Sequence, residues 1–350
     1  MGGNQRTVRA AVIGASGYTG AELLRLLAGH PSMQVVLATG DSHAGAAVGE
    51  VHPGLRAAYP DMVLRSSNTE SWDEDLGDLD VVFLGLPHEV SHELVPRLVD
   101  RVQCVVDLSA AYRIKDRSVY PRWYGFEHRH PEVLDRAVYG LPERHREELA
   151  GARLIATPGC YVTAATLALA PLVDANLIEN SGVIVDAASG VSGAGRAPKQ
   201  ANHFNSVDED FSAYGLIDHR HTPEMEDRIG ARILFTPHLA PMNRGILATC
   251  YVRPATGVEV STVDLLEHLR QTYSGEPFVS VGTELPSTKA TLGSNAVQLT
   301  ARFDERTGYV LVIAALDNLC KGASGGALQA ANVALGLSET SGLTSIGVYP

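Results

Sequence analysis

Cys160 is the residue of this 350-residue chain best placed for covalent chemistry. An apolar run, Leu154–Ala156, ends at Thr157-Pro158-Gly159. Cys160 then opens an alanine- and leucine-rich segment that predicts a helix from Tyr161 to Pro171. A thiol at a helix N-terminus loses its proton readily, because the helix dipole and the first N–H groups stabilise the thiolate. The sequence therefore predicts a nucleophilic cysteine, and the alternative is a buried structural thiol at a strand–helix junction.

A second segment, His219-Arg220-His221-Thr222-Pro223-Glu224, is dense in ionisable groups. One histidine can serve as the acid/base partner of Cys160, since imidazole titrates near neutral pH, and Arg220 can hold a carboxylate or phosphate. The alternative is a surface loop with ordinary histidines. A zinc site built from His219, His221 and His238 lacks a supporting ligand spacing, so no metal is predicted.

Three further segments carry groups that suit an anion or an amide. The Gly/Ser-rich loop from Ser189 to Lys199 can close on an anion with its N–H groups, with Arg196 or with Lys199, although an exposed linker is the alternative. Arg244 lies in Pro237–Gly245, a segment expected between two strands, and is either an anion clamp or part of a structural turn. Asn318 precedes the last predicted helix and can donate to a carboxamide such as that of nicotinamide.

The N-terminal segment has the pattern of a dinucleotide-binding turn. Val8–Ile13 is a β-branched apolar run, G-A-S-G-Y-T-G follows it, and Ala21–Ala28 has helical spacing. The G-x-x-G-x-x-G spacing differs from the commoner G-x-G-x-x-G, so a merely glycine-rich turn is the alternative. If the turn binds a dinucleotide, Gly14 permits the tight turn, Gly17 admits the pyrophosphate and Gly20 lets the helix pack close to the strand.

The second predicted strand, Gln34–Thr39, bears on the choice of cofactor. An acidic residue at its end would bind the adenosine ribose and favour NAD. Asp41 comes slightly late for that role, and Ser42 and His43 can equally accept a 2′-phosphate. The residues alone leave NAD and NADP open.

The strand pattern predicts an α/β Rossmann-type, doubly wound parallel sheet followed by an α+β domain with a mainly antiparallel sheet. Strands Asp80–Leu84 and Cys104–Leu108 alternate with helices, and ligands bind beyond the carboxyl ends of such strands. The loops that should converge on the cofactor are Gly85–His88, Ser109–Arg113 and Pro158–Cys160. The predicted domains are 1–159 with 319–350 for dinucleotide binding, and 160–318 for catalysis, substrate binding and oligomerisation. Later strands are expected at Val183–Ala187, Ile233–Thr236, Ile246–Val252, Val297–Phe303 and Tyr309–Leu316.

Composition excludes several classes of partner. A net charge of −12 argues against nucleic-acid and anionic-membrane binding, and no apolar run is long enough to span a bilayer. The four cysteines form no C-x-x-C pair, which argues against a disulfide framework and indicates a reducing, cytoplasmic compartment. The predicted antiparallel sheet favours a homodimer or homotetramer.

Together these segments resemble the N-acetyl-γ-glutamyl-phosphate reductase family of arginine biosynthesis. The resemblance covers nearly the full chain in order. It rests on G-A-S-G-Y-T-G-A-E-L, D-L-S-A-A-Y-R, P-G-C-Y-V-T, S-G-V-S-G-A-G-R, H-R-H-T-P-E, P-H-L-A-P-M-N-R-G and D-N-L-C-K-G. Val162 stands where the family often has proline, and Gly40-Asp41 where a basic residue often helps to hold the 2′-phosphate.

The resemblance implies NADPH-dependent reduction of an acyl phosphate, N-acetyl-L-glutamyl 5-phosphate, to its 5-semialdehyde through a cysteine thioester. It implies Cys160 as nucleophile and His219 as acid/base, with Glu224 orienting His219. Candidates for holding the substrate anions are Arg113, Lys199, Arg220 and Arg244. Expected contacts to the cofactor, NADP(H), come from Gly14, Ser16, Gly17, Tyr18, Thr19, Gly20, Ser42, Leu86, Pro87, Ser109, Ser192, Gly193 and Asn318.

Two other functions stay open at this point. One is a related semialdehyde dehydrogenase acting on β-aspartyl phosphate or the N-acetyl-aminoadipate analogue. The other is a nucleotide-binding regulator that uses the same domain without catalysis. A cysteine at a helix start with a candidate histidine partner argues against the regulator.

Overall fold

The computed structural model describes residues 6–68 and 72–350, which fall into two compact units. The first unit comprises Met1–Pro121, Phe126–Pro158 and Ala323–Leu343, and the second comprises Arg122–Gly125, Gly159–Gly322 and Thr344–Pro350. Within the described ranges, no helix is both long and apolar enough to cross a membrane.

The first unit is built on a six-stranded sheet in which every neighbouring pair is parallel. Its strands are β1 (Val8–Ile13), β2 (Met33–Ala38), β3 (Val81–Leu84), β4 (Cys104–Asp107), β5 (Val138–Tyr139) and β6 (Leu154–Ala156). The spatial order is β2-β1-β3-β4-β6-β5, so the chain changes direction across the sheet between β1 and β3. The predicted parallel, doubly wound sheet is confirmed, with its topological switch point at the glycine turn after β1.

The described residues up to Pro158 form six α-helices. They are α1 (Tyr18–Ala28), α2 (Val48–Val51), α3 (His88–Leu98), α4 (Tyr120–Tyr124), α5 (Pro131–Arg136) and α6 (Pro142–Leu149). Helix α1 begins three residues before the predicted start at Ala21, because Gly17 takes an extended N-cap conformation and the chain turns helical immediately after it.

The second unit contains a mixed, mostly antiparallel sheet of seven strands. They are β7 (Val183–Gly190), β8 (Ser212–Ala213), β9 (Ile233–Ala240), β10 (Ile246–Val252), β11 (Val279–Val281), β12 (Val297–Asp304) and β13 (Tyr309–Leu316). Their order is β11-β12-β13-β10-β7-β9-β8, and only the β11–β12 and β7–β9 neighbours are parallel among the described residues. The predicted α+β domain with a mainly antiparallel sheet is confirmed.

The helices of the second unit are α7 (Cys160–Asp174), α8 (Phe204–Val207), α9 (Thr222–Ile229) and α10 (Thr262–Thr272). Helix α7 packs against β10 and β13, and α10 packs against β12 and α7. The last helix, α11 (Gly325–Ala334), follows a π-helical turn at Cys320–Ser324 and packs in the first unit against α6 and β4.

The predicted loop Pro237–Gly245 is wrong at its beginning, because β9 continues through Pro237 to Ala240. Pro237 lies opposite Ala187 in the parallel β7–β9 pair. On its other side β9 meets only the two-residue edge strand β8, which pairs with His238 and Leu239. Proline is tolerated at such a place, since its fixed φ suits extended backbone and its missing N–H matters least near a sheet edge.

The glycine turn after β1 depends on two close approaches. Gly14 has φ +86°, and an added Cβ would overlap the Gly85 carbonyl oxygen, just after the end of β3. A Cβ on Gly20 would similarly overlap the Gly14 carbonyl oxygen and the Ala15 Cα. A Cβ on Gly17 would meet nothing nearer than 3.5 Å, so the protein itself leaves room there.

Gly20→Ala should therefore destabilise the first unit, whereas Gly17→Ala should not. We expect Gly20→Ala to lower the free energy of unfolding by about 1–3 kcal/mol, the usual cost of overpacking, because its Cβ would overlap backbone that cannot rotate away. Gly17→Ala serves as the matched control, with an expected change below about 1 kcal/mol. Urea denaturation followed by circular dichroism measures both, and equal stability of the two variants would contradict this account of the turn.

Candidate active site

Cys160 is the first residue of α7, and Gly159 is its extended N-cap. All four cysteines lie within the described residues, and Cys160 alone is partly exposed; Cys104, Cys250 and Cys320 are buried. Burial raises the pKa of the Cys104 and Cys250 thiols to about 12. The predicted position of Cys160 at a helix N-terminus is confirmed, and the alternative of a buried structural thiol does not hold.

The peptide just before Cys160 is fixed by groups from the start of α9. The Gly159 N–H donates a hydrogen bond of 3.0 Å to Glu224 Oε1, and the Glu224 side chain is fully buried. A Cβ on Gly159 would come 2.5 Å from His221 Nε2, so only glycine fits beneath that ring. Glu224 is expected from the resemblance to orient His219, and its Oε1 also holds the turn that carries Cys160.

His219 lies half-buried among aromatic rings of the second unit. Its Nδ1 accepts a hydrogen bond of 3.1 Å from the His221 N–H. Burial, and to a smaller extent the positive charge of Arg220, lower the pKa of His219 to about 4, against the opposing effect of Asp218. The imidazole is therefore neutral at pH 7.

The four candidate cationic side chains differ in the hydrogen-bond and ion-pair partners that they have within the protein. Arg244 bonds the fully buried Asp317 through Nε at 3.1 Å and Nη2 at 2.9 Å, so its guanidinium is held as a structural ion pair. Arg113 is buried in the first unit, where Nη2 donates to the Leu108 carbonyl. Lys199 and Arg220 are exposed, and among the described acidic residues neither has an ion-pair partner.

Asn318 joins the Gly/Ser-rich loop to the loop after β9. Its Nδ2 donates to Ser192 Oγ at 2.9 Å, and its Oδ1 accepts from the Gly245 N–H at 2.7 Å. Asn318 and Ser192 are both buried, whereas Gly193 is exposed, and an added Cβ there would lie 3.2 Å from Ser189 Oγ and 3.8 Å from Asn318 Nδ2. The Asn318 amide thus shapes these loops from within, and Gly193 packs closely against Ser189.

The glycine turn presents an uncapped helix N-terminus. Helix α1 begins at Tyr18, and its N-cap residue, Gly17, has no side chain to cap the first N–H groups. Tyr18 is exposed, and Ser16 and Thr19 are partly exposed. Such an end attracts anions, because the unpaired N–H groups and the helix dipole both favour negative charge. The room at Gly17 is consistent with a phosphate lying there.

The loops after β3 and β4 differ in what their side chains do. Leu86 is half-buried and Pro87 exposed. Ser109 is buried, and its hydroxyl donates to the buried Asp107 carboxylate at 2.7 Å while accepting from the Ala111 N–H. Burial raises the pKa of Asp107, and its hydrogen bonds with Ser109 oppose that shift. The Ser109 side chain therefore stabilises its own loop.

The end of β2 carries the groups that bear on the 2′-phosphate. Asp41 Oδ1 accepts hydrogen bonds from the Ser67 N–H at 2.7 Å and from the Ser66 hydroxyl. Ser42 Oγ lies 2.8 Å from His43 Nδ1 at the surface. One oxygen of Asp41 is thus engaged by the neighbouring turn, while the Ser42–His43 pair stays accessible.

One cluster in the first unit has the composition of a metal site. His92, Glu93 and His130 offer ligand atoms that lie within 4.8 Å of one another. His92 Nε2 accepts from the Arg129 N–H at 3.0 Å, so a neutral His92 carries its proton on Nδ1, 2.9 Å from Glu93. Both ring nitrogens are engaged in hydrogen bonds, and we assign no metal to this cluster.

Sequence reasoning missed three groups that shape the site. Tyr161 and Tyr214 lie against His219, and Asp317 anchors Arg244. The position of Tyr161 next to Cys160, at the start of a predicted helix, could have indicated its importance. Tyr214 and Asp317 had no comparable signal, because their partners lie far away in the chain or in a segment predicted as a loop.

Two protein-family models match the chain in succession. Residues 9–152 match the semialdehyde dehydrogenase NAD binding domain, and residues 160–318 match the semialdehyde dehydrogenase dimerisation domain. N-acetyl-γ-glutamyl-phosphate reductases from Symbiobacterium thermophilum and Citrifermentans bemidjiense are each 46% identical to this chain, over 98% of it and 100% of their own length.

Solved structures with the same fold are more distant in sequence. Aspartate semialdehyde dehydrogenase II from Vibrio cholerae, complexed with ASA, superposes with a TM-score of 0.71 at 17% identity, covering 94% of this chain and 98% of that one. Aspartate semialdehyde dehydrogenase with NADP from Candida albicans has a TM-score of 0.69 at 16% identity, with coverages of 93% and 98%. At these identities the likeness concerns the fold alone.

Brief alkylation of the folded protein with iodoacetamide should modify Cys160 and spare the other three cysteines. Burial shields those thiols, and a pKa near 12 instead of 9.0 leaves Cys104 and Cys250 with about a thousandfold less thiolate. Peptide mass spectrometry measures the modification, and a Cys160→Ser variant should show none until urea unfolds it. Rapid labelling of Cys104, Cys250 or Cys320 in the folded protein would contradict the structure.

Proposed function

This chain belongs to the N-acetyl-γ-glutamyl-phosphate reductases, an oxidoreductase family of arginine biosynthesis within the semialdehyde dehydrogenases, and we propose that it works through a Cys160 thioester with NADPH. The substrate is N-acetyl-L-glutamyl 5-phosphate, and the products are N-acetyl-L-glutamate 5-semialdehyde and phosphate. The observation that carries the mechanism is the partly exposed thiol at the first residue of α7.

Cys160 is the proposed nucleophile. The N-terminus of α7 favours its thiolate, which attacks the acyl carbonyl carbon of the substrate. A carbon–sulfur bond forms, the bond from that carbon to the phosphate oxygen breaks, and phosphate leaves. Glu224 acts as a positioning residue, since its bond to the Gly159 N–H fixes the peptide from which Cys160 projects.

The oxygen of the reacting carbonyl needs hydrogen-bond donors while it carries negative charge. A helix leaves its first N–H groups without intrahelical acceptors, so α7 offers Tyr161 and Val162 as donors close to Cys160 in the chain. His219 is the proposed acid/base group for this oxygen. Once the thioester carbon has accepted a hydride, the carbon–sulfur bond of the resulting tetrahedral adduct breaks, which releases the aldehyde and restores the Cys160 thiolate.

The first unit is proposed to bind the cofactor, and the second to carry catalysis. The pyrophosphate would lie at the start of α1, held by Gly14, Ser16, Gly17, Tyr18, Thr19 and Gly20. When bound, the reduced nicotinamide supplies the hydride. The uncapped N-terminus of α1 and the space over Gly17 support this placement.

NADPH rather than NADH is proposed for two reasons. The Ser42–His43 pair can receive a 2′-phosphate, whereas Asp41 already has one oxygen engaged by the Ser66–Ser67 turn. The solved aspartate semialdehyde dehydrogenase from Candida albicans contains NADP.

Leu86, Pro87 and Gly193 are proposed to contact the cofactor directly. Ser109, Ser192 and Asn318 are proposed to act by shaping their loops, since their side chains are bonded within the protein.

Arg220 and Lys199 are the preferred candidates for the substrate carboxylate and phosphate. Both are exposed, and neither is neutralised by a described acidic residue. Arg244 and Arg113 are proposed to act structurally, since a buried carboxylate and a backbone carbonyl already hold them.

Cys160→Ser should lower turnover by at least about 10³-fold, because loss of a catalytic nucleophile removes the covalent path. The assay runs in reverse, with N-acetyl-glutamate semialdehyde, phosphate and NADP, and follows absorbance of the reduced cofactor. NADP binding by Cys160→Ser should stay near normal. Cys250→Ala, at a buried position of β10, is the matched control and should retain activity. NAD and aspartate β-semialdehyde, tested in parallel, should react more slowly; retained turnover in Cys160→Ser would exclude the thioester path.

We also propose that the chain forms a homodimer or a homotetramer through the open face of the seven-stranded sheet. Helices α7 and α10 cover the opposite face. On the open face Ile184, Tyr251 and Leu311 lie side by side on β7, β10 and β13, and Leu247 and Ile313 extend the row. All five are partly exposed, and the matching family model is described as a dimerisation domain.

Ile313→Asp should dissociate this assembly, because the charge would be buried without a partner. Sedimentation velocity is expected to show a shift from dimer or tetramer to monomer. Val263→Asp, an exposed substitution on α10, should leave the mass unchanged. An unaltered mass for Ile313→Asp would place the interface elsewhere.

A further inference from the structure

His219 is surrounded by four rings of the second unit, all packed edge to face. The ring centroids of His221, Phe235, Tyr214 and Tyr161 lie 4.8, 5.1, 5.6 and 5.9 Å from that of His219. Tyr161 and Phe235 are buried, at 2% and 3% exposure, whereas Tyr214 is 40% exposed. Tyr214 therefore forms the outer wall between His219 and water.

The two nitrogens of His219 are not equivalent in this enclosure. Nδ1 accepts the hydrogen bond from the His221 N–H, so this nitrogen carries no proton. A neutral His219 must then carry its proton on Nε2. The turn before it packs against the ring, since a Cβ on Gly215, which has φ +53°, would lie 3.2 Å from His219 Cδ2.

A short chain of hydroxyl groups fixes the two tyrosines. Tyr214 donates to the Tyr161 hydroxyl at 3.2 Å, and Tyr161 donates to the His238 carbonyl at 3.0 Å. Tyr161 directly follows Cys160 in the first turn of α7. The same chain of contacts thus connects the helix of the nucleophile with the wall around His219.

We infer that Tyr161, Tyr214 and Phe235 are positioning residues that hold His219 as a neutral imidazole, while the His221 N–H fixes its proton on Nε2. His219 then meets the substrate oxygen as a hydrogen-bond donor and accepts a proton at Nε2 only after giving that one up. The inference rests on the proposed function, which assigns His219 to the reacting oxygen. A neutral donor suits an oxyanion, because it needs no prior protonation.

The charges around the ring are consistent with the neutral form. The titratable groups that act on it or contact it are Asp218 and Arg220 on its own loop, and Tyr161, Tyr214 and His221, whose rings pack against it. Arg220 disfavours an imidazolium and Asp218 favours one, while burial is the larger effect. The low pKa of His219, about 4, agrees with the enclosure.

The test is nitrogen-15 NMR of the full-length protein labelled at histidine, with the His219 signals assigned by their loss in His219→Asn. At pH 7 we expect Nδ1 at the shift of an unprotonated nitrogen and Nε2 at that of a protonated one. Tyr214→Ala should raise the titration midpoint of His219 from about 4 toward 6.5, because more of the ring is then exposed to water. Tyr214→Phe keeps the wall and should leave the midpoint near that of the parent.

Phe204→Ala, which removes an aromatic ring that is 76% exposed, is the control for general loss of an aromatic side chain. A charged His219 at pH 7, a proton on Nδ1, or an unmoved midpoint in Tyr214→Ala would each overturn the inference. These spectra need no substrate. Failure here would therefore differ from failure of the thioester mechanism, which the Cys160→Ser assay detects.

Discussion

The hydrogen bond from the Gly159 N–H to the buried Glu224 carboxylate is the contact on which the candidate site depends. A carboxylate without water needs hydrogen-bond donors, and leaving it without them costs about 3–5 kcal/mol. Helix α9 therefore cannot shift away from the start of α7 without a large penalty. Glu224 lies five residues after His219 in the same segment, so this contact ties Cys160 and His219 to one local framework.

A second buried carboxylate plays a comparable part in the same unit. Asp317 accepts from the N–H groups of Leu319, Cys320 and Gly293 and also holds Arg244. It thereby fixes the residues on either side of Asn318, whose amide bonds Ser192 and Gly245. The loops of the second unit are thus organised by a few buried polar side chains more than by regular structure.

The sequence predicts most strands of the two sheets but few of the contacts that form the site. Strands β1, β6, β10 and β13 were predicted to the residue, because each is an apolar run bounded by turn residues. Helix α9 was missed, since the charges of H-R-H-T-P-E obscure its periodicity and the segment resembles a loop. Residue types indicated Cys160 as a nucleophile with a histidine partner, and the family resemblance selected His219 and Glu224. The pairing of Glu224 with Gly159, and of Arg244 with Asp317, joins positions distant in the chain, which no local pattern encodes.

The parallel pairing of β7 with β9 has a consequence for how this site can vary. Parallel neighbours require a connection that returns to the starting end of the sheet, and hairpins cannot provide it. Residues 191–232 form that return path, and they include Ser192, Lys199, His219, Arg220 and Glu224. Several of the residues proposed to act on the substrate, Cys160 excepted, therefore lie in one obligatory connection, while the strands on either side supply a fixed frame. Substitutions in residues 191–232 can therefore alter substrate preference without disturbing the register of the sheet.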